Sequence, residues 1–123
     1  MNSLPHDSSL GVLLVDDEPM LLDLFEMLLL SNGYRVGTAS DAAAALEKFK
    51  AEKWDLVITD FSMPGLTGSQ LGQEIKSLSP GTPVIVLTGD ASADEYSGAD
   101  LVIHKPFTHS DIETAIARCL AAA

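Results

Sequence analysis

Cysteine is nearly absent. The 123 residues hold one, Cys119, so no internal disulfide can form. Its place in an apolar helical pattern makes it a core residue in a reducing compartment. Positive charge is scarce as well. Seven Lys and Arg stand against 18 Asp and Glu, a formal net charge of −11. That balance argues against a domain built to grip phosphate backbones and against docking on an anionic membrane surface. Long hydrophobic runs are missing. The longest nearly apolar stretch, Met20 to Leu30, is broken by Asp23 and Glu26, so no transmembrane span is expected. The first nine residues lack a basic n-region, and the apolar run at 10–15 is too short for a signal peptide and ends in acids. No internal repeat occurs, and the only low-complexity tracts are the alanines at 42–45 and 121–123. These absences predict a cytoplasmic protein. What is present is apolar content, 46% of the residues, enough for a real core in a chain shorter than the ~150 residues usual for one domain.

Residues 1–9 read as a flexible lead-in and 10–123 as the domain. Within it, continuous apolar runs at 12–15, 54–59, 83–87 and 101–103, and a weaker one at 34–39, have the character of strands covered on both faces. Helical patterns lie between them. Leu21, Leu24, Phe25, Leu28 and Leu29 share one predicted face, and Asn32-Gly33 ends that helix. Ser40 or Asp41 can cap a second, with Ala44, Leu46 and Phe49 inward. Thr67 and Gln70 have capping-box spacing for a third, with Leu71, Ile75 and Leu78 inward. Thr108 and Asp111 open the last, with Ile112, Ala115, Ile116, Cys119 and Leu120 inward. Alternation of this kind predicts an α/β fold, a doubly wound parallel sheet with right-handed crossovers. Ligands in such folds sit at the carboxyl ends of the strands, at the switch point of strand order.

Charged and hydroxyl side chains collect at those ends. Asp16-Asp17 follow the first strand, Asp60 the third, Thr88 the fourth and Lys105 the fifth. With strand order 2-1-3-4-5, the first and third strands are neighbours and Asp16, Asp17 and Asp60 meet on one rim. Three carboxylates and one ammonium sum to −2. Such crowding raises carboxylate pKa values unless a cation relieves it. A divalent ion neutralises the cluster, and a few hard oxygen ligands with room for water suit Mg²⁺. A phosphoryl group then adds about −2, which the metal, Lys105 and the Thr88 hydroxyl can meet. A carboxylate beside a metal and a lysine can act as a nucleophile in phosphoryl transfer. Each feature alone has a plainer use: acids favour helix starts, and aspartate forms turns. Their conjunction at four successive strand ends marks a site.

In their order along the chain, Leu14-Val15-Asp16-Asp17-Glu18, Val57-Ile58-Thr59-Asp60 with Met63-Pro64-Gly65, Pro83 to Gly89, and Lys105-Pro106-Phe107 resemble the receiver domains of two-component response regulators. The resemblance covers roughly residues 10–121. It implies a flavodoxin-like (βα)5 fold and a role for each matched residue. Asp60 is then the phosphoacceptor, supplied by a histidine kinase or a histidine phosphotransfer protein. Asp17 holds Mg²⁺ directly, Asp16 largely through water, and the Ser62 backbone carbonyl completes the protein ligands together with Asp60. Lys105 pairs with the phosphoryl oxygens, and Thr88 swings in to signal phosphorylation to an unnamed downstream protein. Such domains also hydrolyse their own aspartyl phosphate.

Two departures stand out. Only nine residues separate Thr88 from Gly98, short of the usual fourth helix by about one and a half turns, so a single turn or irregular loop is predicted over 89–97. Val102, three before Lys105, has no ring to rotate where many receivers carry an aromatic residue. Together they predict that the face formed by helix 4, strand 5 and helix 5 is not used for standard dimerisation. Asp90 is read first as a solvated loop acid and second as a group that tunes access to the phosphoryl group. Met20, Met27 and Leu30 lie off the inward stripe of the first helix, where receivers commonly meet kinase helical bundles; they are either a partner patch or scattered surface hydrophobes. His104 and His109 have no third ligand near in sequence and are not read as a metal pair. The chain has no room for an output domain, so it is a single-domain regulator or a receiver from a longer response regulator or hybrid kinase. A Mg²⁺-dependent phosphohydrolase ranks lower because Ser62 stands where such enzymes carry a second Asp. A flavin carrier ranks lower because Asp16-Asp17-Glu18-Pro19 would repel a cofactor phosphate.

Overall fold

The computed structural model describes residues 10–63, 65–89 and 98–122. The elements run β1 Gly11–Val15, α1 Pro19–Ser31, β2 Arg35–Ala39, α2 Ala42–Ala51, β3 Leu56–Asp60, α3 Gly68–Leu78, β4 Val84–Thr88, β5 Leu101–His104 and α4 His109–Ala122. The five strands form one parallel sheet, as the alternation predicts, in the order β2-β1-β3-β4-β5 that the receiver resemblance implies. The central strands β1, β3 and β4 are buried along their whole length, which is why their sequences are continuous apolar runs.

Side chains alternate between two cores. Val12, Leu14, Ile58 and Ile85 point to the face covered by α1 and α4, where they pack with Leu22, Phe25, Leu29, Ile112 and Ile116. Leu13, Val15, Val57 and Val86 point to the other face and pack with Ala42 and Ala45 of α2 and Leu71 and Ile75 of α3. Helix ends follow local chemistry. The Asp41 side chain accepts from the Ala44 N–H. Thr67 and Gln70 form a reciprocal capping box, and Thr108 and Asp111 do the same for α4. Asn32 closes α1, and Gly33 takes a φ of 91° that favours glycine.

Several sequence expectations shift. In α1, Leu22 is buried and Leu24 is 59% exposed, the reverse of the expected face. Leu78 is also exposed, at the last position of α3. In α2 the fully buried positions are Ala42 and Ala45, while Ala44, Leu46 and Phe49 pack only partly. Trp54 lies before β3 rather than opening it. Its ring is buried against Gly37, with the Arg35 guanidinium 4.4 Å from the ring centroid and its indole N–H donating to the Lys48 carbonyl. The lead-in at 1–9, Asp90 and nearly all of the shortened 89–97 segment lie outside the described residues. Among the described residues there are four helices, and no helix is long and apolar enough to cross a membrane.

Candidate functional site

Strand pairing assembles the site. β1 and β3 run side by side with Val15 opposite Thr59, so Asp16 and Asp17 emerge next to Asp60, the last residue of β3. β4 lies on the other side of β3 and ends at Thr88, and β5 delivers Lys105 one residue past its end. One oxygen from each of Asp16, Asp17 and Asp60 lies within 4.8 Å of the others. Asp16 and Asp60 are buried, at 4% and 6% exposed, while Asp17 faces solvent. The expected convergence of three carboxylates from two strand ends is thus present.

Their electrostatics differ. Asp16 Oδ1 accepts a hydrogen bond from the Glu18 N–H at 2.9 Å, whereas Oδ2 is buried with no hydrogen-bond partner. Burial pushes the Asp16 carboxyl above its usual range; the Glu18 N–H opposes this, and the Asp60 carboxylate pushes it up further. Asp60 Oδ1 accepts from Lys105 Nζ at 2.6 Å, a charge-assisted contact between residues 45 apart in sequence. The remaining expected residues border the same space. Asp60, Phe61, Ser62, Thr88, Gly89 and Lys105 line a cavity of about 510 Å³, with Thr88 buried and Ser62 exposed. Lys105-Pro106 is a cis peptide.

A hard divalent cation fits this donor set. Three carboxylates surround one point, one oxygen among them lacks any partner, and one carboxylate opens to water. Three features of the site were not read from sequence. The Glu18 N–H orients Asp16, Phe61 and Gly89 contribute to the cavity wall, and Gly68 sits directly against the Asp60 carbonyl, with no space there for a Cβ. The glycine carried a signal: a residue with poor helix propensity stands in the first turn, directly after the Thr67 cap.

The family model for the response regulator receiver domain matches residues 12–117, nearly the whole described unit. The chain belongs to this family. As a receiver domain of two-component response regulators, it has an acidic pocket at Asp16, Asp17 and Asp60 that fits the family's phosphorylation site. Among curated relatives it is 42% identical over 110 residues to the transcriptional regulatory protein GlrR of Escherichia coli K12, covering 85% of this chain and 25% of that protein. It is 33% identical over 110 residues to the E. coli K12 sensor protein EvgS, covering 85% of this chain and 9% of that one. The receiver therefore spans about a quarter or less of these two proteins. Two solved structures match it over nearly their full length. A CheY-like receiver domain protein from Methanospirillum hungatei superposes with a TM-score of 0.87 at 32% identity, covering 94% of this chain and 96% of that one. The response regulator TrrA of Thermotoga maritima, solved in complex with Mg²⁺-BeF, gives 0.83 at 32% identity, with 90% and 99% covered.

Proposed function

We propose that this receiver accepts a phosphoryl group on Asp60 from a phosphohistidine of a histidine kinase or histidine phosphotransfer protein, and that the phosphorylated state is what a downstream protein reads. The observation that carries this reading is the pairing of a buried Asp60 with Lys105 at 2.6 Å beside two further carboxylates. Lys105 holds Oδ1, which leaves Oδ2 as the oxygen that attacks phosphorus. The new O–P bond forms as the P–N bond of the donor breaks, and the imidazole leaves with the electron pair. Lys105 and the Thr88 hydroxyl at the cavity wall are the groups suited to receive the charge on the phosphoryl oxygens. Asp17, Asp16, Asp60 and the Ser62 carbonyl would hold Mg²⁺, which when bound neutralises phosphoryl charge. A water entering the same cavity accounts for self-dephosphorylation.

The partner surface follows from α1. Leu21, Leu24, Phe25 and Leu28 border an apolar groove with Pro106, Phe107 and Ile112, immediately beside Lys105. Met20, Leu24, Met27 and Leu30 extend it as exposed apolar side chains. A helical bundle carrying the phosphohistidine can pack there with its imidazole over Asp60. The acidic balance supports a protein partner rather than nucleic acid or an anionic membrane. The receiver unit is residues 10–123, and the single cysteine suits a cytoplasmic setting. The test is incubation with acetyl phosphate and Mg²⁺ followed by peptide mass spectrometry. One phosphoryl adduct is expected, on Asp60, and none in Asp60→Asn. An adduct elsewhere, or none in the unmodified protein, overturns the assignment.

A further inference from the structure

Helix α3 meets the end of β3 and the Gly98 backbone ahead of β5 through main chain rather than side chains. At its first turn Gly68 lies against the Asp60 carbonyl and Phe61 Cα, and its N–H donates to the Phe61 carbonyl at 2.8 Å. One turn later Gly72 lies against the backbone of Gly98, and Gly98 in turn against the Ser69 carbonyl and the Gln73 nitrogen. A Cβ on Gly68, Gly72 or Gly98 would collide with main-chain atoms. One further turn on, Lys76 Nζ reaches Asp100 Oδ2 at 2.6 Å, and that same oxygen accepts from the Val84 N–H at 2.7 Å. Asp100 N–H completes the junction by donating to the Val84 carbonyl at 2.8 Å.

Contacts between side chains absorb small displacements by changing rotamer. Backbone seated on backbone has no such slack, and close-packed interiors pass strain on. A shift of α3 must therefore appear at Asp60, at Gly98, or at both. Along the helix axis the Gly98 seat at Gly72 lies about 6 Å from the Asp60 contact at Gly68, and the Asp100 contact at Lys76 about 12 Å, the rises over four and eight residues.

We propose that α3 is a rigid strut that reports the state of the Asp60 pocket, at the carboxyl ends of the strands, to the start of β5, at their opposite ends. The coupling, which rests on Asp60 being the phosphoacceptor, regulates that same site: by reciprocity, loosening the Gly72–Gly98 seat weakens ligand binding at the pocket, and filling the pocket tightens the seat. The foot of the sheet that this would reshape is lined by Lys76, Asp100, Leu101 and Arg118.

The probe is Mg²⁺ with beryllofluoride, and the first readout is amide hydrogen exchange in the unmodified chain. Val84 and Asp100 amides are expected to exchange at least about threefold more slowly with the probe bound. Gly72→Ala is expected to weaken probe binding about threefold or more, whereas Gly81→Ala, whose Cβ meets nothing within 4 Å, leaves it unchanged. Lys76→Met removes the outer contact without adding bulk. It is expected to abolish the exchange response at Val84 and Asp100 while probe binding persists, and it serves if Gly72→Ala does not fold. Probe binding with unchanged exchange at Val84 and Asp100 overturns the strut and leaves the functional reading standing. No binding of the probe at all defeats the functional reading, and the strut as a regulator with it.

Discussion

Asp16 keeps Oδ2 buried beside two other carboxylates with no hydrogen-bond partner, an arrangement that costs stability whenever the group is ionised. Its folded pKa lies above its ordinary 3.8, with burial the main cause. The folded state therefore holds this proton more tightly than the unfolded state. Stability from this group falls as pH rises from 3.8 through the raised value, and the penalty is complete above it. Asp16→Asn removes the charge. We expect it to stabilise the metal-free protein at pH 7 by on the order of 1 kcal/mol, and to flatten the decline in Tm with pH. Added Mg²⁺ should raise Tm in the unmodified protein and much less in the variant. Thermal melts at several pH values with and without Mg²⁺ check both, and a variant less stable than its parent at pH 7 contradicts the account. Lys105→Met removes the cation on Asp60 and is expected to slow acetyl-phosphate labelling at least about tenfold. Labelling at the parental rate would remove Lys105 from the chemistry. Much of this pocket was legible in the sequence because parallel strands deliver their last residues to one rim. The Asp16–Glu18 hydrogen bond and the Gly68 seat were not, because they depend on the exact path of the chain after each strand.

Helix α3 begins at a reciprocal cap, with Thr67 Oγ1 accepting from the Gln70 N–H at 3.1 Å and Gln70 Oε1 accepting from the Thr67 N–H at 2.9 Å. Thr67→Ala removes the side-chain acceptor and is expected to cost about 1 kcal/mol. Denaturant unfolding measures it, and a loss near zero would mean that the contacts of Gly68 with the end of β3 suffice to fix the helix start. This element was visible in sequence because capping is local chemistry at fixed spacing. The face of α1 was not. Leu21, Leu22, Leu24, Phe25, Met27, Leu28, Leu29 and Leu30 make that helix apolar nearly all round, so periodicity could not choose between Leu22 and Leu24. Packing against Val12, Leu14 and Ile112 makes the choice, and those residues come from elsewhere in the chain. Leu78 fails for another reason: it is the last residue of α3, where the sheet no longer covers the helix.

Across the whole molecule the surplus of apolar residues on α1 has a consequence. The core takes Leu22, Phe25 and Leu29, while Met20, Leu24, Met27 and Leu30 stay 53–78% exposed. They run along one side of the helix beside the groove that leads to Lys105. A charged, otherwise well-solvated surface has no internal use for such a stripe, and burying it against a partner returns the hydrophobic gain that folding leaves unused. Leu24→Glu and Leu30→Glu separate this from a structural role. Both positions are exposed, so stability should change by no more than about 0.5 kcal/mol. Labelling by acetyl phosphate, a donor too small to need the stripe, should keep its rate. Transfer from a phosphorylated histidine kinase or histidine phosphotransfer protein should slow about tenfold or more, since a carboxylate would be buried without a counter-charge at the contact. If both donors slow together, the stripe acts through the fold of the pocket. If neither slows, α1 takes no part in recognition and the donor approaches from another side.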